Sequence, residues 1–153
     1  MGIFVTNGQQ LKILNEASKK EVEYDIKDNS ESLFIHLLKL YYWGYDTNVK
    51  QHWIKEISNK YCRIKKLPNN KYPSKDYIEK LIWKDNDLDY IASKLNKNKN
   101  YKSYPRINKI DYNTRRFCSD YIEWISEKLS LEGAMNNTEA QHYLSDLYNK
   151  YRS

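Results

Sequence analysis

Between Leu33 and Trp43 the chain reads Leu-Phe-Ile-His-Leu-Leu-Lys-Leu-Tyr-Tyr-Trp, apolar or aromatic at every position but two. A helix of that composition has no polar side to give to water, so other elements must enclose it all round. Interrupted by His36 and Lys39, it also falls short of the roughly 18–20 apolar residues of a membrane span. The chain is therefore expected to be soluble, with a central helix over Ser32–Trp43 and further helices packed against it.

Those further helices are legible as stripes. From Asn48 to about Leu67, Val49, Trp53, Ile57, Tyr61 and Ile64 recur at helical spacing, which turns His52, Lys55, Asn59, Arg63 and Lys66 to the opposite side. After the loop around Pro68 and Pro73, Ser74 is a good N-cap for a helix carrying Tyr77, Ile78, Leu81 and Ile82. Asn86 can cap the next, Asp87–Leu95, with Leu88, Ile91, Ala92 and Leu95 on its inner side. Residues 96–110 lose periodicity and read as a long loop. Asp111 or Thr114 reopens helix, Phe117, Cys118, Tyr121, Ile122, Ile125 and Leu129 line it, and Gly133 ends it. Thr138 and Gln141 make a capping box for a last helix that buries Ala140, Tyr143, Leu144, Leu147, Tyr148 and Tyr151.

The N-terminus reads differently. Gly2–Thr6 is short and β-branched, Asn7-Gly8 is a strong turn signal, Gln9–Leu14 suits a returning strand, and Glu21–Ile26 alternates charged and apolar residues. A helix over Gln9–Lys20 competes with this reading. The expected fold is mainly α, a compact bundle of five to six helices with a short N-terminal β element. The 153 residues are expected to form one domain, with 1–28 as a small β element or strand-helix cap and 30–151 as the bundle.

Charge is segregated along the chain. The whole carries 26 Lys+Arg against 20 Asp+Glu, but residues 1–36 are net −2, residues 37–116 net +11 and residues 117–153 net −3. An AT-rich genome writes lysine freely, and the 21 Lys against 5 Arg fit that bias, yet the acidic flanks come from the same chain. Two stretches hold the excess without a single acid: Lys60–Lys75 and Lys94–Lys109. Polyanions are the natural partners of such a surface. In the second stretch Tyr101 and Tyr104 alternate with Lys99, Lys102 and Arg106, which suits rings stacking on bases while cations meet phosphates. Arg115 and Arg116 extend it from a helix N-terminus, where the dipole disfavours positive charge.

Signatures of chemistry are sparse. Cys62 and Cys118 are singletons on or beside apolar stripes, and His36, His52 and His142 share no i, i+4 pair, so no zinc site is expected. Four glycines leave little material for a phosphate loop or nucleophile elbow. Trp83-Lys84-Asp85-Asn86 joins two helices as a helix-turn-helix would, but Asp87 and Asp89 at the second helix's start repel phosphate.

The sequence thus points to a non-enzymatic nucleic-acid or ribonucleoprotein binding accessory protein, without cofactor or metal and without membrane attachment. Its partner would be RNA, single-stranded DNA or a nucleoprotein complex. The expected contacts are Lys55, Arg63, Lys66, Lys97, Lys99, Tyr101, Lys102, Tyr104, Arg106, Arg115 and Arg116. The alternative is a small protein-binding inhibitor or immunity/anti-defence factor of a phage or mobile element, docking through aromatic anchors on a nucleic-acid-processing complex. Few cysteines and no secretory leader pattern suggest a cytoplasmic protein.

Overall fold

The computed structural model describes residues 7–64, 72–133 and 135–152, and the side chains of α1 from Lys19 onward. Six α-helices lie within these residues: α1 (Asn7–Trp43), α2 (Thr47–Cys62), α3 (Lys75–Trp83), α4 (Leu88–Lys97), α5 (Tyr112–Glu132) and α6 (Asn137–Arg152). A 3-10 turn over Lys99–Tyr101 follows α4.

The C-terminal part of α1 is the axis of the molecule, as its composition requires. Leu33, Phe34, Leu37, Leu38, Leu40, Tyr41 and Trp43 are all buried, and α1 touches each of the other five helices. Phe34 meets Trp83 of α3 at 4.6 Å between ring centroids, and Tyr41 meets Phe117 of α5 at 5.3 Å. At Gly44 a Cβ would stand 2.3 Å from the Leu40 carbonyl oxygen and 2.7 Å from the Tyr148 ring, so the close approach of α6 admits no larger residue.

The N-terminal β element is not found where the structure describes the chain. Residues 9–14 and 21–26, expected as strands, belong to the continuous helix α1; Gly2–Thr6 lies outside the described residues. The alternation over 21–26 is equally a helical i, i+4 pair. Val22 and Ile26 are buried against the bundle, while Tyr24, which a strand would place on their side, is 67% exposed.

Caps set most boundaries. Ser74 accepts from the Tyr77 amide at 3.3 Å, and Asp111 accepts from the Thr114 amide at 2.8 Å. Gly133 ends α5 with a φ of 73° that suits glycine, its amide bonded to the Leu129 carbonyl. Three expectations shift. Asp87, not Asn86, caps α4, because Asn86 donates instead to the Ser30 hydroxyl and the Ile82 carbonyl, tying the α3–α4 turn to α1. Asn136 rather than Thr138 accepts from the first turn of α6. Finally, α2 stops at Cys62 and does not run on to about Leu67; Lys66 itself lies outside the described residues.

His36 sits on α1 facing α2. Its Nδ1–H donates to the Ser32 carbonyl at 2.7 Å, and Nε2 stands 3.9 Å from Glu56 Oε2, while His52 approaches the other oxygen of that carboxylate, Oε1. Burial holds the imidazole below its usual 6.5, with Lys39 and Lys60 adding to the effect and the Ser32 bond and Glu56 opposing it. The unfolded chain therefore takes up this proton first. The stability contributed by neutral His36 is full above about pH 6.5 and falls as the pH drops towards the lower folded value. Urea unfolding across that window is expected to show the fall, and His36→Gln is expected to flatten it. An equal slope in both proteins would assign the pH response to other groups.

Candidate nucleic-acid interface

Past the 3-10 turn over Lys99–Tyr101 the loop from Asn98 to Asp111 has no regular structure, yet its course is fixed from several directions. At its start the Asn98 side chain accepts from the Asn100 amide, closing the 3-10 turn. Midway, the Asn96 amide group brackets Ile107, donating to its carbonyl at 2.7 Å and accepting from its N–H at 2.8 Å. Ile107 and Ile110 are buried. At the end, the Tyr42 hydroxyl shares a hydrogen bond with Thr114 at 2.8 Å.

The centre of the loop is held by aromatic packing. Trp43, at the end of α1, is 2% exposed and donates its Nε1–H to the Pro105 carbonyl at 3.0 Å. Tyr104 stacks on Trp43 at 4.9 Å and 15°, and Tyr101 lies against the same ring at 5.5 Å. Trp53 of α2 closes the cluster, 6.4 Å from Trp43 and 5.9 Å from Tyr104. Into it projects Lys39, 5% exposed, whose ammonium donates to the Tyr101 hydroxyl at 2.7 Å and lies 4.5 Å from that ring and 5.4 Å from Trp53. Cation–π attraction and one hydrogen bond thus compensate the desolvation of its charge. The Tyr104 hydroxyl donates to Asp46 at 2.8 Å, and burial together with that carboxylate pushes it up to about 12.

This geometry gives Tyr101 and Tyr104 a use other than the base stacking expected of them. Both are half-buried anchors with ring faces against Trp43 and Lys39. The cations around them point outward. Lys97, Lys99, Lys102, Arg106 and Lys109 are exposed, and none of them makes an ion pair with a described residue. Elsewhere four cations are paired, Lys75 with Glu123, Lys94 with Glu31, Arg115 with Asp89, and Lys128 with Glu132 and Glu139, while exposed Lys55, Arg63, Lys80 and Lys84 resemble the loop cations in having no acid partner among the described residues. The loop is a ridge of unneutralised charge on a fixed backbone.

The remaining expected residues divide. Arg115 donates to Asp89 at 2.8 Å, and Arg116 lies over the Tyr112 ring, so local partners account for both arginines at the start of α5. Lys55 is exposed on α2 and Arg63 is exposed at its C-cap. That helix meets the loop through Trp53, and Arg63 is ten residues, about 15 Å, further along. There it lines a separate polar cleft of about 430 Å³ with Asp25, Asn29, Glu56, Asn59, Lys60 and Ile64. The basic surface read from sequence is thus two places on the molecule.

Two exposed rings, one before and one after the ridge in chain order, were not singled out by the sequence reading. Tyr90 of α4 is 63% exposed and Tyr112 of α5 is 69% exposed. A signal for Tyr90 was present, since it falls off the Leu88, Ile91, Ala92 and Leu95 stripe. Burial pushes the Cys62 thiol up to about 11 and the Cys118 thiol up to about 12, so both stay protonated at neutral pH. Among the described residues no three His, Cys, Asp or Glu side chains converge to hold a metal, and no helix is long and apolar enough to cross a membrane. Set against known proteins, the chain matches no family model, no curated protein and no solved structure.

Proposed function

We propose that this chain is a non-enzymatic nucleic-acid or ribonucleoprotein binding accessory protein, and that it holds the phosphate backbone on the ridge between Lys97 and Lys109. The observation that supports this reading is the concentration of charge. The five cations from Lys97 to Lys109 are all exposed, none has an acidic partner among the described residues, and no acid interrupts the sequence between them. Leaving like charges close together on one loop costs self-repulsion, which a polyanion relieves. The pinned backbone lowers the ordering cost of binding, since the loop need not be organised around its ligand.

Anisotropy titration of labelled RNA and DNA, single-stranded and duplex, across a salt series tests the proposal. Five phosphate contacts on a single strand predict that log K falls with log salt at a slope of about −3.5. No binding at low salt overturns the reading. It would favour the alternative, a protein-docking factor, for which an open groove of about 790 Å³ on the outer side of α3 is available, lined in part by Tyr77, Leu81 and Trp83.

A further inference from the structure

Tyr90 and Tyr112 are built alike. Each sits on a helix with a cation one turn later over its ring: the Lys94 ammonium is 5.7 Å from the Tyr90 centroid, and the Arg116 guanidinium 5.8 Å from that of Tyr112. Arg116 also donates to the Tyr112 hydroxyl at 2.9 Å. The Arg115–Asp89 bond, at 2.8 Å, ties the start of α5, which carries Tyr112, to the start of α4, which carries Tyr90. In chain order they bracket the ridge, with Tyr90 before Lys97 and Tyr112 after Lys109.

We infer that Tyr90 and Tyr112 are stacking platforms for unpaired bases, and that the ligand of the ridge is a single strand. This rests on the nucleic-acid reading above. Each ring keeps most of its surface open to solvent, and a base face fits against it. Stacking of this kind is indifferent to base identity, since every base has a π-face. In a duplex those faces are covered by neighbouring base pairs, so the rings gain nothing from it. The unpaired cations that lie between the two rings in sequence, from Lys97 to Lys109, draw in the phosphates between successive bases.

The test compares Tyr90→Ala, Tyr112→Ala and the corresponding Phe variants with the unaltered chain, titrated with labelled oligo(U), oligo(dT) and a duplex of equal length. Both rings are exposed, and thermal unfolding confirms that each variant remains folded. Each Ala variant is expected to lose about 5- to 100-fold in affinity for the single strands and to leave duplex binding unchanged, while Phe retains the affinity. Whichever strand binds tighter then distinguishes an RNA from a DNA ligand. Equal losses on strand and duplex, or no loss at all, overturn the inference while leaving the ridge in place. Failure of the unaltered chain to bind any of the three overturns the nucleic-acid reading itself, a result that the Tyr variants alone cannot produce.

Discussion

Trp43→Ala is expected to cost about 3–5 kcal/mol of stability and to release the loop after α4. Trp43 is the common neighbour of Trp53, Tyr101 and Tyr104, and its Nε1–H holds the Pro105 carbonyl. Alanine leaves a cavity where those rings converge, and it removes the hydrogen bond that fixes the centre of the loop. It also loosens the rings around Lys39, whose buried ammonium then loses part of its compensation. Urea unfolding gives the stability. Trypsin under native conditions reports the loop, since Lys97, Lys99, Lys102 and Arg106 offer it cleavage sites. Trp43→Phe, which keeps a ring but not the N–H, is expected to fall between the two. If the Ala variant loses stability but its loop resists trypsin as before, Asn96, Ile107 and Ile110 hold the loop without Trp43.

How much of this was legible follows from the range of the forces involved. The all-round apolar run of 33–43 leaves one solution, burial at the centre, and the stripes of α2 to α6 name most of the inner residues, with α3 the exception, where Ile78 and Ile82 are buried but Tyr77 is exposed and Leu81 only half-buried. The strand reading of 21–26 failed because a short alternating string satisfies both periods, and the deciding neighbours, the following apolar residues of α1, lie outside it. Tyr101 and Tyr104 could not be placed from sequence, because a loop has no period and their partners Lys39, Asp46 and Trp43 are some sixty positions away. Nor does composition tell a paired lysine from an unpaired one. Lys94 and Lys97 read alike, yet the fold brings Glu31 to the first and no acid among the described residues to the second. The candidate site is therefore half visible: its charge is written in the sequence, its exposed rings and its rigidity are not.

Replacing Lys97, Lys99, Lys102 and Arg106 together by Ser is expected to weaken single-strand binding on the order of 10²–10³-fold near 0.1 M salt and to make the salt slope shallower by about 3. Each phosphate contact on a single strand contributes roughly 0.7 to that slope, so four lost contacts set both figures. Stability is expected to change by no more than about 0.5 kcal/mol, because these side chains are exposed and the loop is held by other groups: Asn96, Asn98, Trp43 and the buried isoleucines. Slope and affinity must fall together. A lower affinity at an unchanged slope would mean that the substitutions disturb a neighbouring contact and that the ridge itself does not neutralise phosphate. If neither changes, the polyanion sits elsewhere, and the outer side of α2 is the next place to look. There Lys55→Ser with Arg63→Ser would have to reproduce the loss that the ridge variant failed to give.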